Sequence, residues 1–186
     1  MSFDLATAKT RKGILPADTT QDALIVIALA AAKAVAETYC NRKFDYAAEI
    51  ATFHFPNART LQLSRYPIEQ VTLVAVSESN SDFRGYQVIN GTGQVVSTSV
   101  FSARQVEVQY AGGYRTLPAD LELALWMVFD EVWSASTSGG VTAAIKSVAL
   151  ADVGTVQFSD PNAGASAGFI KPAAAVILNL YRLEVC

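Results

Sequence analysis

Charge is scarce in this chain: Asp, Glu, Lys and Arg make up 17% of 186 residues, against about 25% in an ordinary soluble domain. With 51% hydrophobic residues and a mean hydropathy of +0.26, it cannot be a disordered tail. A chain of this length buries roughly two-thirds of its unfolded surface and folds without disulfides or metal. Two cysteines, Cys40 and Cys186, are too few for a disulfide framework and lack metal-ligand spacing; a reducing, cytosolic setting fits them. A single histidine, His54, cannot build a metal site by itself, and no cofactor is expected. No Walker A or GxGxxG pattern occurs, and Gly91-Thr92-Gly93 belongs to a turn. Asn90-Gly91-Thr92 is formally a glycosylation sequon, but nothing indicates secretion.

Long apolar runs are missing too. The most apolar stretch, Ala23 to Ala36, is interrupted by Lys33 and flanked by Asp22 and Glu37. A membrane span needs about 20 apolar residues, so this run reads as a core helix and no membrane partner is expected. The first residues carry an early Asp4 and no apolar signal-peptide core. The net charge of -3 argues against holding nucleic acid by bulk charge, though not against merely surrounding it. Apolar excess with little charge means more surface is covered than one small globule covers alone, and partner subunits can supply that cover.

What is present has a clear order. Residues 1–17 read as an N-terminal arm with a basic cluster of Lys9, Arg11 and Lys12. That cluster suits a solvated tail, or contact with a phosphate backbone or an acidic neighbour. Asp18, Thr19 and Thr20 offer N-cap oxygens for an Ala-rich helix from about Gln21 to Cys40. Its apolar residues occupy nearly every face, which predicts burial on most sides.

From about Ile50 the period becomes two. Thr52–Phe55, Thr60–Leu63, Val71–Val76, Tyr86–Ile89, Gln94–Ser97 and Gln105–Tyr110 read as strands. Asn80-Ser81-Asp82 reads as a break, and Asn90-Gly91 as a hairpin turn. After Gly112-Gly113, Pro118 marks a helix start with Asp120 and Glu122 in its first turn. Leu121, Leu125, Val128, Phe129 and Val132 recur at helical spacing beside Ala124 and Trp126, as a core stripe. Trp133, next to the small-residue stretch 134–143, is also an interface candidate. Ile145–Leu150 and Val153–Phe158 read as short extended segments, 159–168 as a second small-residue loop, and Pro172 opens a last helix running to about Leu183.

The fold class is therefore α+β: a small bundle of three main helices, an inserted antiparallel β lobe, and an extended loop before the C-terminal helix. One domain, 1–186, divides into a helical part, 18–45 with 114–186, and a β lobe, 50–113. Gly164-Ala165-Ser166-Ala167-Gly168 matches the GxSxG of hydrolase elbows. His54 precedes Ser166, whereas in those enzymes the histidine follows, and the surroundings read as a loose loop; a serine hydrolase is the least favoured reading. Cys40 reads as a small buried side chain rather than a reactive thiol.

Four segments taken together resemble the head-tail connector, or adaptor, proteins of tailed bacteriophages. They are Ala36-Glu37-Thr38-Tyr39-Cys40-Asn41-Arg42-Lys43-Phe44; Leu63-Ser64-Arg65-Tyr66-Pro67-Ile68-Glu69-Gln70-Val71; Val108-Gln109-Tyr110-Ala111-Gly112-Gly113-Tyr114, with Leu117-Pro118-Ala119-Asp120-Leu121 and Ala124 behind it; and Lys171-Pro172-Ala173-Ala174 through Leu180-Tyr181-Arg182. The resemblance implies a structural virion protein, not an enzyme, made in the host cytoplasm and assembled at the head-tail interface. It implies a homo-oligomeric ring, commonly a dodecamer, between the portal protein and a neck stopper or tail protein, with DNA passing through the ring without sequence-specific binding. By that analogy the C-terminal segment grips the portal, so Ile177, Leu180, Tyr181 and Leu183 face the portal or a neighbouring subunit, or else complete the subunit's own core. Another neck or tail-completion component, or a minor capsid protein, is the alternative.

Overall fold

Asp4 accepts a hydrogen bond from the Thr7 N–H at 2.8 Å and caps a helix that the sequence pattern did not announce. In the computed structural model, which describes residues 3–54, 56–76, 81–101, 104–137, 149–150, 154–155 and 169–183, α1 spans Leu5–Lys12. It ends at Gly13, whose φ of 69° suits a residue without Cβ. The segment expected as an arm is thus folded from residue 5, because local capping combines with ion pairs too distant in sequence to be read from spacing. Lys9 meets Asp22 at 2.7 Å, and Arg11 and Lys12 share Asp130 at 3.0 and 2.7 Å.

α1 belongs to the first of two units into which the chain divides, Met1–Cys40 with Pro118–Cys186; the second is Asn41–Leu117. The helical unit also holds α2 (Asp22–Cys40), α3 (Ala119–Thr137) and α4 (Pro172–Asn179). Asp18 accepts from the N–H and hydroxyl of Thr20 ahead of α2, and Asn41 closes that helix with a φ of 52°. In α3, Leu121, Ala124, Leu125, Trp126, Val128, Phe129, Val132 and Trp133 are all buried. Phe129 sits edge-on to Trp126 at 5.4 Å and stacks on Trp133 at 6.1 Å, while Phe3 caps Trp126 at 4.7 Å. Burial of each such ring contributes about 1.5–3 kcal/mol. Trp133 therefore serves the core. α3 continues to Thr137, so the expected small-residue stretch begins as helix; 138–143 and the second loop, 159–168, with Gly164–Gly168 in it, lie outside the described residues.

α2 departs from its expected burial. Ile25, Ala28, Ala32 and Ala36 are at most 1% exposed and face the core. The opposite face is open: Val26 is 51% and Ile27 43% exposed, with Ala23 exposed and Ala30 and Ala34 half-buried on the same side. By length and composition α2 could cross a membrane, but its packed face and the Lys33 and Glu37 within it are features of a core helix. α4 stops at Asn179, short of the expected Leu183. The Leu183 N–H leaves the helical path to donate to the Cys40 carbonyl at 2.9 Å, satisfying one of the last acceptors of α2.

The second unit contains two antiparallel sheets. β1 (Ala47–His54), β7 (Gln105–Gly112), β3 (Ile68–Val76) and β4 (Ser81–Asp82) pair in the order β1-β7-β3-β4. β2 (Ala58–Gln62), β6 (Gln94–Phe101) and β5 (Tyr86–Ile89) pair as β2-β6-β5. Between β1 and β2, Asn57 takes a φ of 37° where the chain changes sheet, so the two strands never pair with each other. Ser81-Asp82, expected as a break, folds back on Ala75 and Val76. β5 and β6 form the expected hairpin. Its Gly93 has a φ of 74°, and a Cβ there would lie 2.6 Å from the Tyr66 ring. β7 alternates as predicted, burying Val106, Val108 and Tyr110. The bridges Lys43–Arg65 and Asp45–Tyr114 carry residues 41–46 into this unit.

β8 (Ala149–Leu150) and β9 (Gly154–Thr155), within the predicted extended segments, pair antiparallel with each other.

Candidate functional site

The basic cluster is built into the helical unit. Lys9 is 5% exposed and, besides its pair with Asp22, donates to the Pro16 carbonyl at 3.0 Å. Arg11 lies over the Trp126 ring at 5.0 Å and Lys12 over Phe129 at 5.4 Å. Two cations therefore share the one Asp130 carboxylate and clamp α1 to the aromatic stripe of α3. Nothing in the local sequence names Asp22 or Asp130 as counter-ions, because both lie on other helices.

The four C-terminal candidates divide. The Tyr181 hydroxyl donates to Asp120 at 2.6 Å, which holds that carboxyl below its ordinary value. Leu183 is anchored through its backbone to α2, and Ile177 is half-buried beside the fully buried Leu178. Tyr39 donates to Asn179 at 2.8 Å, and the Cys40 thiol reaches the Leu178 carbonyl at 3.4 Å. These contacts fix the C-terminal turn to its own unit. Leu180 alone of the four points outward, 78% exposed, joined by Val176 at 70%, which the sequence reading did not single out. With Val26 and Ile27 on the open face of α2, they are among the large apolar side chains that the described residues of this unit leave exposed. The signal for the α2 part was a helix apolar on nearly every face, only one of which the described residues pack.

In the β unit the Gly112-Gly113-Tyr114 motif has a steric cause. A Cβ on Gly112 would lie 2.7 Å from the Arg65 carbonyl, and one on Gly113, whose φ is 98°, would lie 2.3 Å from that of Asp45. The glycines let the end of β7 pass between two backbone segments. Arg65 pairs with Glu49 at 2.6 Å and donates to the Asp45 carbonyl at 2.8 Å; the Tyr110 hydroxyl accepts from the Arg65 N–H at 3.2 Å and meets Ser64 at 3.1 Å. Burial pushes the Tyr110 phenol above its usual range. Arg42, 5% exposed, donates to the Tyr66 carbonyl and lies 3.3 Å from the Tyr66 ring centroid, with Phe44 and Tyr114 also within 6 Å. These arginines lock the loops beside the first sheet; sequence spacing alone did not show it.

Among the described residues no catalytic geometry is assembled. His54 sits exposed at the last position of β1 opposite Gln105, and Ser166 lies outside the described residues. Among the described residues no group of three or more His, Cys, Asp or Glu could hold a metal ion.

The model of the head completion protein family matches residues 7–146. No curated protein matches at a significant level. Among solved structures, the chain is similar to one from the neck of an empty GTA particle computed with C6 symmetry, at 14% identity and a TM-score of 0.63, covering 98% of this chain and 90% of that one. It is similar to another from the neck of a native GTA particle computed with C12 symmetry, at 14% identity and a TM-score of 0.58, covering 98% and 91%. A third comes from the virion of a native gene transfer agent particle, at 15% identity and a TM-score of 0.56, covering 94% and 85%. At such identities the likeness is one of fold. The family match spans well over half of the sequence, and the chain belongs to the head completion protein family.

Proposed function

We propose that this chain is a structural component of the neck at the head-tail interface of a phage-like particle, assembling there as a ring that joins the portal vertex to the next neck or tail protein. The observation that carries the ring is the open apolar face of α2 in a protein of this family: Val26 and Ile27 remain about half exposed on a helix whose other face is fully packed. Among the described residues nothing covers that face, and subunits packed side by side would. The fold shared with chains from C6- and C12-symmetric neck reconstructions supports the same reading and favours a dodecamer.

Val176 and Leu180 form the portal-facing end of α4 in this proposal, while Ile177, Tyr181 and Leu183 hold that end in place. A phosphate contact falls to Arg11 and Lys12, which retain one net positive charge after sharing Asp130; Lys9 is buried and neutralised by Asp22. DNA passes without being gripped, consistent with a net charge of -3.

Electron microscopy of the purified chain mixed with portal protein is expected to reveal a ring seated on the portal. A chain that stays monomeric beside portal at high concentration sinks the proposal. Replacing Val176 and Leu180 together by serine should leave folding nearly unchanged, within about 0.5 kcal/mol as at other exposed sites, while portal binding is lost. Full binding by that variant would move the portal contact elsewhere.

A further inference from the structure

Charge is shared unequally between the two units. Met1–Cys40 with Pro118–Cys186 carries 11 acidic and 7 basic residues, whereas Asn41–Leu117 carries 6 and 7. The arginines of the β unit also differ among themselves. Arg65 and Arg115 are ion-paired to Glu49 and Glu69, and Arg42 is buried against Tyr66. Arg59 and Arg104 are exposed, and among the described residues neither meets a carboxylate. His54 pairs with Gln105, and Ala58 with Phe101. Arg104, next to Gln105, and Arg59, next to Ala58, therefore lie at the same end of the β unit. Val100, next to Phe101, shares that end and is 40% exposed.

The helical unit presents the reverse. At the start of α3, Asp120 accepts from the Tyr181 hydroxyl at 2.6 Å and Glu122 from the Trp126 ring nitrogen at 3.2 Å. Both donors are neutral, and among the described residues no cation meets either carboxylate. Leu123 follows Asp120 by three residues, hence on the same helix face, and is 48% exposed. The two surfaces match in kind: an apolar side chain beside two arginines, and an apolar side chain beside two carboxylates. They are also different surfaces, so joining them in successive copies is head-to-tail, as a ring requires and a two-fold dimer does not. We infer that Val100 of one copy seats against Leu123 of the next, with Arg59 and Arg104 facing Asp120 and Glu122. The inference rests on the ring reading above and adds to it a contact that sets register. Exposed ion pairs contribute little affinity, but complementary charge fixes orientation and penalises wrong pairings.

The test uses the full chain assembled on portal in a Cys186→Ser background, which leaves only the buried Cys40. Copies carrying Val100→Cys are mixed with copies carrying Leu123→Cys, and the assembly is oxidised. Disulfide-linked dimers should contain one copy of each kind. Rings that yield no such mixed dimer, or only dimers of like copies, overturn the inference while the ring stands. In parallel, Arg59→Glu with Arg104→Glu should leave the subunit's melting curve unchanged and lower the yield of rings by roughly tenfold or more, since like charges then face each other. Unchanged ring yield overturns the inference independently of the cross-links. Unchanged yield with weakened retention of a DNA duplex would assign the two arginines to phosphate instead. If the unaltered chain makes no ring on portal, the proposed function fails first and this inference with it.

Discussion

The helical and β units leave different things unfinished. Of the ten large apolar side chains that are exposed among the described residues, Leu15, Leu24, Val26, Ile27, Leu123, Val176 and Leu180 belong to the helical unit and Ile50, Ile89 and Val100 to the β unit. The helical unit pairs its charges internally, through Lys9–Asp22, Asp130 with Arg11 and Lys12, and Lys171–Glu131 at 2.5 Å, and leaves greasy surface showing. The β unit exposes fewer large apolar residues and leaves backbone showing along β1, which among the described residues pairs only with β7. Apolar surface is adhesive but imprecise, whereas a strand edge fixes direction and register. The ring proposed above would have use for both.

The largest test of that division is Phe129→Ala. Phe129 is fully buried between Trp126 and Trp133, and its loss should cost about 3–5 kcal/mol through cavity formation. Hydrogen exchange should accelerate across α1, α2 and α3, while β3 and β7 keep their protection. Equal loss in both units would mean that they fold as one cooperative body and that the comparison has no energetic content.

Gly113→Ala is the matching lesion in the β unit. The alanine would need a φ near 98° and would press its Cβ against the Asp45 carbonyl. Backbone strain of this kind costs about 1–3 kcal/mol. The hydrogen bonds joining residues 44–46 to Tyr114 should then open first, seen as faster exchange confined to the β unit. An unchanged melting temperature would mean that the backbone relaxes there at no cost, and the Gly-Gly motif would lose its steric explanation.

How far the sequence foretold these features follows from the range of the interactions involved. The core stripe of α3 and the alternation of β7 are local periodicities, and both were legible before any coordinates. The glycines of the 112–114 motif were visible as a motif, though their cause, the backbones of Arg65 and Asp45, lies far away in the chain. α1 was missed because eight residues with low apolar content carry little periodic signal; it is held by Asp22 and Asp130 from other helices. For the C-terminal candidates the sequence indicates a helix opened by Pro172, but the hydrogen bonds of Tyr181 to Asp120 and of Leu183 to Cys40, which tie this turn to its own unit, are tertiary. The open edge of β1 was invisible, since strand order is set by pairing and not by the composition of the strand itself.

The smallest expected effects concern pH, and they separate the units by sign. Asp120 in the helical unit accepts from Tyr181, and that bond lowers its pKa below the ordinary 3.8. A depressed carboxyl stabilises the fold at pH above its unfolded value, and the contribution is lost as pH falls through the folded value, so the window lies below about pH 4. Both groups touch solvent, so screening keeps the gain under about 0.5 kcal/mol. Tyr110 in the β unit behaves oppositely: burial raises its phenol above 10.0. Its contribution is complete below pH 10 and is lost as pH climbs through the folded value. Tyr181→Phe should therefore flatten only the acid limb of the stability curve, and Tyr110→Phe only the alkaline limb, each followed by thermal melting across pH. If Tyr181→Phe left the acid limb as steep as before, the Asp120 bond would contribute nothing to holding the C-terminal turn, and Val176 and Leu180 would owe their outward position to helix packing alone.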